Sequence, residues 1–316
     1  MPLPATAFAD LAVEDAPCPL CGAAAGPVLS IHQGRFGVVR CARCRLVRLS
    51  PRPTAAALGR LYDETYYARG GYDDYLATYE RFRDLYESFY RRRLALLARH
   101  VRTSGRILEV GCAHGFQLAW LKEHGWDVVG AEVSRVAAAH ARGEFGLDVR
   151  ETPLENLDLP AASLDAAYMI DILEHLYSPV PAMARLARAL KPGGVLLVQC
   201  PYELSHWEKR GQAWRERKPG GTIAPESIPY HVMFFTPRTL KLMLERCGFR
   251  VLARYSGNYG AVRRRLAPPA AKGASGEETF LRFIYYKLGL QAALRTIALP
   301  LKQGSGLIFA ATPVDR

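Results

Sequence analysis

Long apolar runs are missing from this 316-residue chain. Nowhere do about eighteen uncharged apolar residues follow one another, so the hydropathy signal of a membrane-spanning helix is absent. The opening Met1-Pro-Leu-Pro-Ala-Thr-Ala-Phe-Ala-Asp10 lacks the basic stretch and apolar core of a secretory leader, and the compartment expected from it is the cytoplasm. Cysteine is scarce and odd in number, seven in all, which argues against a framework of paired disulfides. Cys112, Cys200 and Cys247 stand among apolar residues and read as buried packing positions. No internal repeat is present, which excludes a solenoid. Acidic residues run short in one region: residues 201–316 carry 19 Lys and Arg against 8 Asp and Glu, whereas residues 1–200 carry 23 against 22. Nearly all of the net charge of +12 therefore lies in the C-terminal third. Such asymmetry suits an anionic partner, whether a nucleotide-linked sugar, a lipid headgroup or RNA, and equally suits a solvated basic face.

What is present is a hydrophobic content of 49%, enough for one large core and a small module beside it. Residues 1–50 are Cys- and Arg-rich without helical periodicity and end in the proline-marked Leu49-Ser-Pro-Arg-Pro-Thr54. Residues 51–103 hold a short helical stretch at 54–62, a Tyr/Gly-rich turn, and an amphipathic pattern over about 73–101, expected to form a cap or linker over the active site. From residue 104 onward, β-rich runs at 106–111, 127–133, 148–151, 164–170 and 194–201 alternate with helical patterns. That alternation predicts an α/β domain built on a mostly parallel sheet. A helix at 237–247 and strands at 249–255 and 306–312 complete a seven-stranded set, interrupted by an insertion at about 257–304.

The first β-run leads into Gly111-x-x-x-Gly115 and a helix at 116–124. A small-residue loop lets the backbone approach a ligand closely, and a helix N-terminus offers free N–H donors. Glu132 ends the next strand about twenty residues on, where a carboxylate can accept both hydroxyls of a ribose. A nicotinamide site shares that acidic residue, but it favours Gly-x-Gly-x-x-Gly around a pyrophosphate. Here Glu109 precedes the loop, and its carboxylate repels a pyrophosphate while attracting an ammonium.

The segment Glu109-Val-Gly-Cys-Ala-His-Gly115 resembles the first motif of class I S-adenosylmethionine-dependent methyltransferases, with Ala113 replacing a middle glycine. Blocks at Thr152-Pro-Leu-Glu155, Ser163-Leu-Asp-Ala-Ala-Tyr-Met-Ile-Asp171 and Leu190-Lys-Pro-Gly-Gly-Val-Leu-Leu-Val198 follow in the family's order. The resemblance implies a Rossmann-like seven-stranded, mostly parallel sheet with helices on both faces. It also implies S-adenosylmethionine as cofactor, contacted by Glu109, Gly111, Cys112, Gly115, Glu132 and Val133. Leu154 and Glu155 would border the adenine, and Asp171 would lie beneath the methionine moiety. Tyr66, Tyr67 and Tyr72 match the tyrosine-rich segment that folds over the cofactor in small-molecule methyltransferases. Each of these residues also suits an ordinary loop or packing position.

Cys18-Pro-Leu-Cys21 and Cys41-Ala-Arg-Cys44 form two C-x2-C pairs separated by nineteen residues. Two such knuckles supply four thiolates for tetrahedral zinc and leave no position open for catalysis, so the expected Zn2+ is structural. A zinc ribbon followed by Pro51-Arg-Pro53 and Leu61-Tyr-Asp-Glu-Thr-Tyr-Tyr67 is similar to bacterial methyltransferases that tailor sugars, polysaccharides and secondary metabolites.

Methyl transfer to a hydroxyl asks the protein to position the acceptor and to remove one proton. Glu174-His175 resembles the Glu-His pair of many of these enzymes, and His231 resembles the histidine before their aromatic-Thr-Pro element. His175 and His231 are the candidate bases, with Glu174 orienting an imidazole or helping to hold a divalent metal; a helix cap and a loop anchor are the alternative roles. The expected activity is methyl transfer to a small molecule, a hydroxyl of a sugar, nucleotide-linked sugar or secondary metabolite, with an anionic or carrier-linked acceptor. Two alternatives stand beside it: an RNA methyltransferase using the ribbon and the basic C-terminal third, and a lipid-linked glycan methyltransferase whose residues 280–301 lie on a membrane surface.

Overall fold

The computed structural model describes residue 8 and residues 10–61, 75–101, 104–202, 228–257 and 306–314. The predicted Tyr66, Tyr67 and Tyr72, most of the insertion at 257–304 and the segment 280–301 lie outside the described residues.

In chain order the strands are β1 (Val13–Glu14), β2 (Val28–His32), β3 (Phe36–Arg40), β4 (Val47–Leu49) and β5 (Arg52–Pro53). Helices α1 (Ala55–Leu61), α2 (Tyr75–Arg81) and α3 (Arg83–Leu97) follow. The amphipathic pattern expected as one helix over 73–101 is thus interrupted at Phe82, whose ψ of 24° departs from the helical well. Then come β6 (Arg106–Val110), α4 (Phe116–Glu123), β7 (Asp127–Glu132), α5 (Arg135–Phe145), β8 (Asp148–Glu151) and β9 (Leu164–Ile170). The series ends with α6 (Pro179–Ala189), β10 (Leu190–Pro201), β11 (Met233–Phe234), α7 (Pro237–Arg246), β12 (Phe249–Gly257) and β13 (Gly306–Pro313).

Seven strands form one sheet in the order β12-β13-β10-β9-β6-β7-β8. Strands β10, β9, β6, β7 and β8 pair in parallel, while β13 is antiparallel to both neighbours. This is the expected α/β Rossmann-like sheet. Its strands are apolar on both sides because helices cover both faces. Leu108, Val129, Met169 and Leu196 enter one core with Met183 and Leu186 of α6 and Leu240 and Met243 of α7. Ile107, Val128, Tyr168 and Leu197 enter the other with Leu97 of α3, Leu118 and Leu121 of α4, and Ala138 and Ala141 of α5.

The N-terminal region makes a second, four-stranded antiparallel sheet in the order β11-β4-β3-β2. Its outermost strand on one side, β11, comes from far along the chain: Met233 pairs with Arg48, and Phe234 with Val47. Phe36, Val38, Val47 and Leu49 join the same core as Leu108 and Met169, so the ribbon shares apolar packing with the large sheet. Arg52 adds a polar tie, donating from Nη1 to the Tyr177 carbonyl at 2.8 Å and pairing with Glu14 at 3.1 Å.

Candidate active site

The loop after β6 is shaped by close approaches. Gly111 has φ +70°, and a Cβ there would lie 2.0 Å from Ile172 Cδ1. Gly115 has φ +85° and packs so closely on α5 that a Cβ would meet Ala141 Cβ at 2.6 Å. Ala113 also adopts a left-handed conformation, φ +48°. For an L-residue this costs about 1–2 kcal/mol, so replacing the motif's middle glycine is not neutral for the backbone.

Two buried carboxylates frame this loop. Glu132 accepts the Ala113 amide through Oε2 and the Ser134 amide through Oε1, each at 2.8 Å. Burial pushes its pKa upward, while the amides of Ser134, Ala113 and Val133 pull it back. Each carboxylate oxygen retains a second lone pair, so the group can brace the loop and still accept a hydroxyl. Glu109 accepts from Gln117 Nε2 at 2.6 Å through Oε1, and its buried Oε2 has no hydrogen-bond partner. Burial raises its pKa to about 8, with Arg93 lowering it and Glu132 raising it. Arg93 donates to Gln117 Oε1 at 2.6 Å, which forces the Gln117 amide to present its NH2 to Glu109. Gln117 and Arg93 were not among the residues expected from sequence. The usable signal was a polar side chain in the first turn of a helix that is otherwise apolar until Lys122 and Glu123.

The other expected cofactor contacts are placed as follows. The buried Cys112 thiol lies where a Cβ on Gly130 would meet it at 2.7 Å, packing the loop against β7. Val133 is 48% exposed beside Glu132. Leu154 is buried in the 3-10 turn Leu154–Asn156, and Glu155 in the same turn accepts the Ser178 amide at 3.5 Å. Asp171, φ +56°, follows β9, and its amide donates to the Gln199 carbonyl at 2.8 Å. The buried, unpartnered Glu109 oxygen suits an ammonium, and the cradle at Gly111 suits close backbone contact, so these residues fit S-adenosylmethionine. A separate cleft of about 160 Å³ lies between the 3-10 turn and α6, lined by Leu157, Asp158, Arg185 and Arg188, and shares only Leu154 with this site.

The catalytic candidates converge. The 3-10 turn Leu173–His175 follows directly from Ile172, which roofs Gly111. His175 and His231 stand 4.6 Å apart with rings at 83°. His175 Nε2 lies 4.0 Å from Glu174 Oε1, and Nδ1 lies 2.9 Å from the Tyr230 carbonyl, which fits a proton on Nδ1. Burial holds the His175 pKa down at about 3, reinforced by His231 and opposed by the carbonyls of Tyr230 and Asp171. One ligand atom from each of Glu174, His175 and His231 lies within 4.8 Å of the others. That set can accept and stabilise a proton, and its donors also suit a divalent cation.

In the ribbon, Cys18 Sγ lies 3.5 Å from Cys44 Sγ, and Cys21 Sγ 3.5 Å from Cys41 Sγ, with all four within 4.8 Å of one another. Tetrahedral zinc with bonds of about 2.3 Å needs sulfur separations of about 3.8 Å, so the donor set fits the ion. Each knuckle is closed alike: the Gly22 amide donates to the Cys18 carbonyl, and the Arg45 amide to the Cys41 carbonyl. Both closing residues are left-handed, Gly22 at φ +74° and Arg45 at φ +69°.

Comparison with known proteins gives the family. Residues 79–254 match a family described as a methyltransferase domain. The match spans more than half of the chain, and the protein belongs to that family. A "Probable S-adenosylmethionine-dependent methyltransferase" of Mycolicibacterium smegmatis is 29% identical over 152 residues, 48% of this chain and 54% of that protein. A ubiquinone biosynthesis O-methyltransferase of Bradyrhizobium sp. is 34% identical over 98 residues, 29% of this chain and 38% of that protein. A tRNA U34 carboxymethyltransferase of Methylococcus capsulatus is 26% identical, covering 46% of this chain and 44% of that one. The matches thus span about half or less of these relatives' length. The solved structure of an S-adenosylmethionine-dependent methyltransferase from Archaeoglobus fulgidus overlays with a TM-score of 0.49 at 20% identity, covering 76% of this chain and 99% of that one. Among the described residues no helix is long and apolar enough to cross a membrane.

Proposed function

We propose that this protein transfers a methyl group from S-adenosylmethionine to a hydroxyl of a small acceptor that is anionic or carrier-linked, of the sugar, nucleotide-linked sugar or secondary-metabolite class. The observation that carries the reading is the cluster of buried Glu174 with partly buried His175 and His231, set beside the loop whose glycines and carboxylates fit the cofactor. The bound cofactor supplies an electrophilic methyl group on a sulfonium.

In this reading His231 takes the acceptor's proton. His175, held neutral by burial, sits 4.6 Å away without repelling the imidazolium that forms. Glu174 provides a nearby negative charge that stabilises it. Glu109 and Glu132 orient the methionine ammonium and the ribose, and the four cysteines hold a structural zinc. The protein, supplied with methyl-labelled cofactor and a panel of nucleotide sugars, phenols and RNA, is expected to label a small hydroxylated acceptor. His231→Ala should keep cofactor affinity while losing about 10²–10⁴ in kcat, and full activity in that variant would remove the base assignment.

An RNA acceptor is the second reading, favoured by the similarity to a tRNA-modifying enzyme and by the basic C-terminal third. Its signature is steeply salt-dependent RNA binding.

A further inference from the structure

Arg48 is a buried cation on β4, only 2% exposed, and it lies directly opposite Met233 in the ribbon sheet. Its Nη1 donates to the Leu49 carbonyl at 3.0 Å. Its Nε and Nη2 are buried and have no hydrogen-bond partner. No acidic side chain among the described residues pairs with it.

A guanidinium enclosed without a counter-charge is one of the least favourable arrangements a fold can hold. The two open donors are not an arbitrary pair. Nε–H and the neighbouring Nη2–H point the same way from one edge of the plane, and that edge matches two oxygens of a carboxylate or phosphate. Nη1, on the other edge, is occupied by backbone and fixes the plane.

The location gives this edge a use. Met233, the pairing partner of Arg48, is two residues beyond His231, and the neighbouring pair is joined by the Leu49 amide donating to the Val232 carbonyl at 3.0 Å. The backbone that carries Arg48 is therefore tied to the segment that carries the proposed base, with Arg48 opposite the residue two positions beyond His231.

We infer that Arg48 is an anion-recognition residue of the acceptor site, clasping a carboxylate or phosphate of the acceptor through Nε and Nη2. The inference rests on the methyltransferase reading for its substrate but not for the anion site itself. It gives the ribbon a part in substrate choice: the strand leaving the Cys41–Cys44 knuckle delivers the residue that selects a negatively charged acceptor.

The test uses the full zinc-loaded chain saturated with S-adenosylhomocysteine. Thermal unfolding is followed while inorganic phosphate or acetate is added, against sodium chloride of equal ionic strength. Phosphate or acetate is expected to raise Tm above the chloride control, and whichever does so identifies the acceptor's anion. Arg48→Met should abolish that rise while leaving the anion-free Tm equal to or above wild type, because an unpaired charge has been removed from the interior. Arg48→Lys, which keeps the charge and loses the fork, should weaken the anion about tenfold.

A drop in anion-free Tm or failure to fold in Arg48→Met would mean that the guanidinium is satisfied within the fold, and would overturn the inference. So would an undiminished rise in that variant, or no rise beyond chloride in wild type. Calorimetry with S-adenosylhomocysteine alone reports separately on the methyltransferase reading: absence of binding there sinks the activity and leaves the anion result standing.

Discussion

Leu49 and Val232 join the ribbon to the proposed catalytic cluster, the Leu49 amide donating to the Val232 carbonyl at 3.0 Å while the Val232 amide donates to the Glu174 carbonyl at 3.0 Å. His231 immediately precedes this junction. Loss of a zinc held by the four cysteines should therefore be felt at the proposed base. Cys44→Ser is predicted to lose bound zinc by elemental analysis and to lower Tm, since so small a module gains most of its stability from the ion. Turnover should fall by about 10–100-fold or more, while cofactor affinity, set on β6 and β7, stays near wild type in calorimetry. Equal losses of cofactor binding and turnover would show that the ribbon supports the whole fold instead.

Glu109 predicts a pH dependence with a definite sign. Its ordinary value is 4.5, and burial raises it to about 8 in the folded protein. Between those values the folded chain holds a proton that the unfolded chain has released, so this group's contribution to stability declines as pH rises from about 4.5 to about 8. Wild type should lose more Tm across that window than Glu109→Gln. An ammonium at Oε2 favours the ionised form, so cofactor binding at about pH 7 should release close to one proton from wild type and almost none from the variant. Calorimetry in buffers of different ionisation enthalpy measures this.

Glu132→Ala should be damaging twice over. It removes the acceptor for the Ala113 and Ser134 amides, at about 1–3 kcal/mol for each one left unsatisfied, and it removes the proposed ribose contact. The expected result is a lower Tm without cofactor and at least about tenfold weaker binding. Glu132→Gln keeps only one acceptor oxygen and should fall between.

The cofactor loop allows opposite predictions at neighbouring positions. Gly111→Ala drives a Cβ to 2.0 Å from Ile172 Cδ1 at a φ of +70°, and should lower stability by about 1–3 kcal/mol with loss of cofactor binding. Ala113→Gly relieves a left-handed alanine worth about 1–2 kcal/mol against a gain of about 0.4–1 kcal/mol in unfolded-chain freedom. The net expectation is an unchanged or slightly raised Tm, and a clear loss would show that the alanine methyl packs on something that matters.

Most of the large sheet was legible because its strands are short apolar runs between helical periods. Residues 148–151 and 164–170 have the expected bounds, and the other central strands differ by a few residues. The cofactor loop was legible because close backbone approach leaves a glycine signature. What sequence did not disclose depends on partners far apart along the chain. β11 is only two residues long, Met233–Phe234, and carries no periodicity; it exists because β4 offers an edge. Arg48 alternates with Val47 and Leu49 like any outward-facing strand residue, and only the packed sheet shows it to be buried. The pairing of Glu109 with Gln117, and of Gln117 with Arg93, likewise needs three elements assembled before its logic appears.

The antiparallel strand β13 has a consequence for synthesis. It lies between β10 and β12, yet it follows β10 by about a hundred residues, so the edge from Leu196 to Pro201 stays open while that length is made. At usual ribosomal speeds this is roughly 5–20 s, with an apolar strand edge exposed to any passing chain. Variants that delay the docking of residues 306–313 should therefore reduce soluble yield more than they reduce the melting temperature of the protein that does form. The sheet of this protein is completed one strand in from its edge, and only when its last strand arrives.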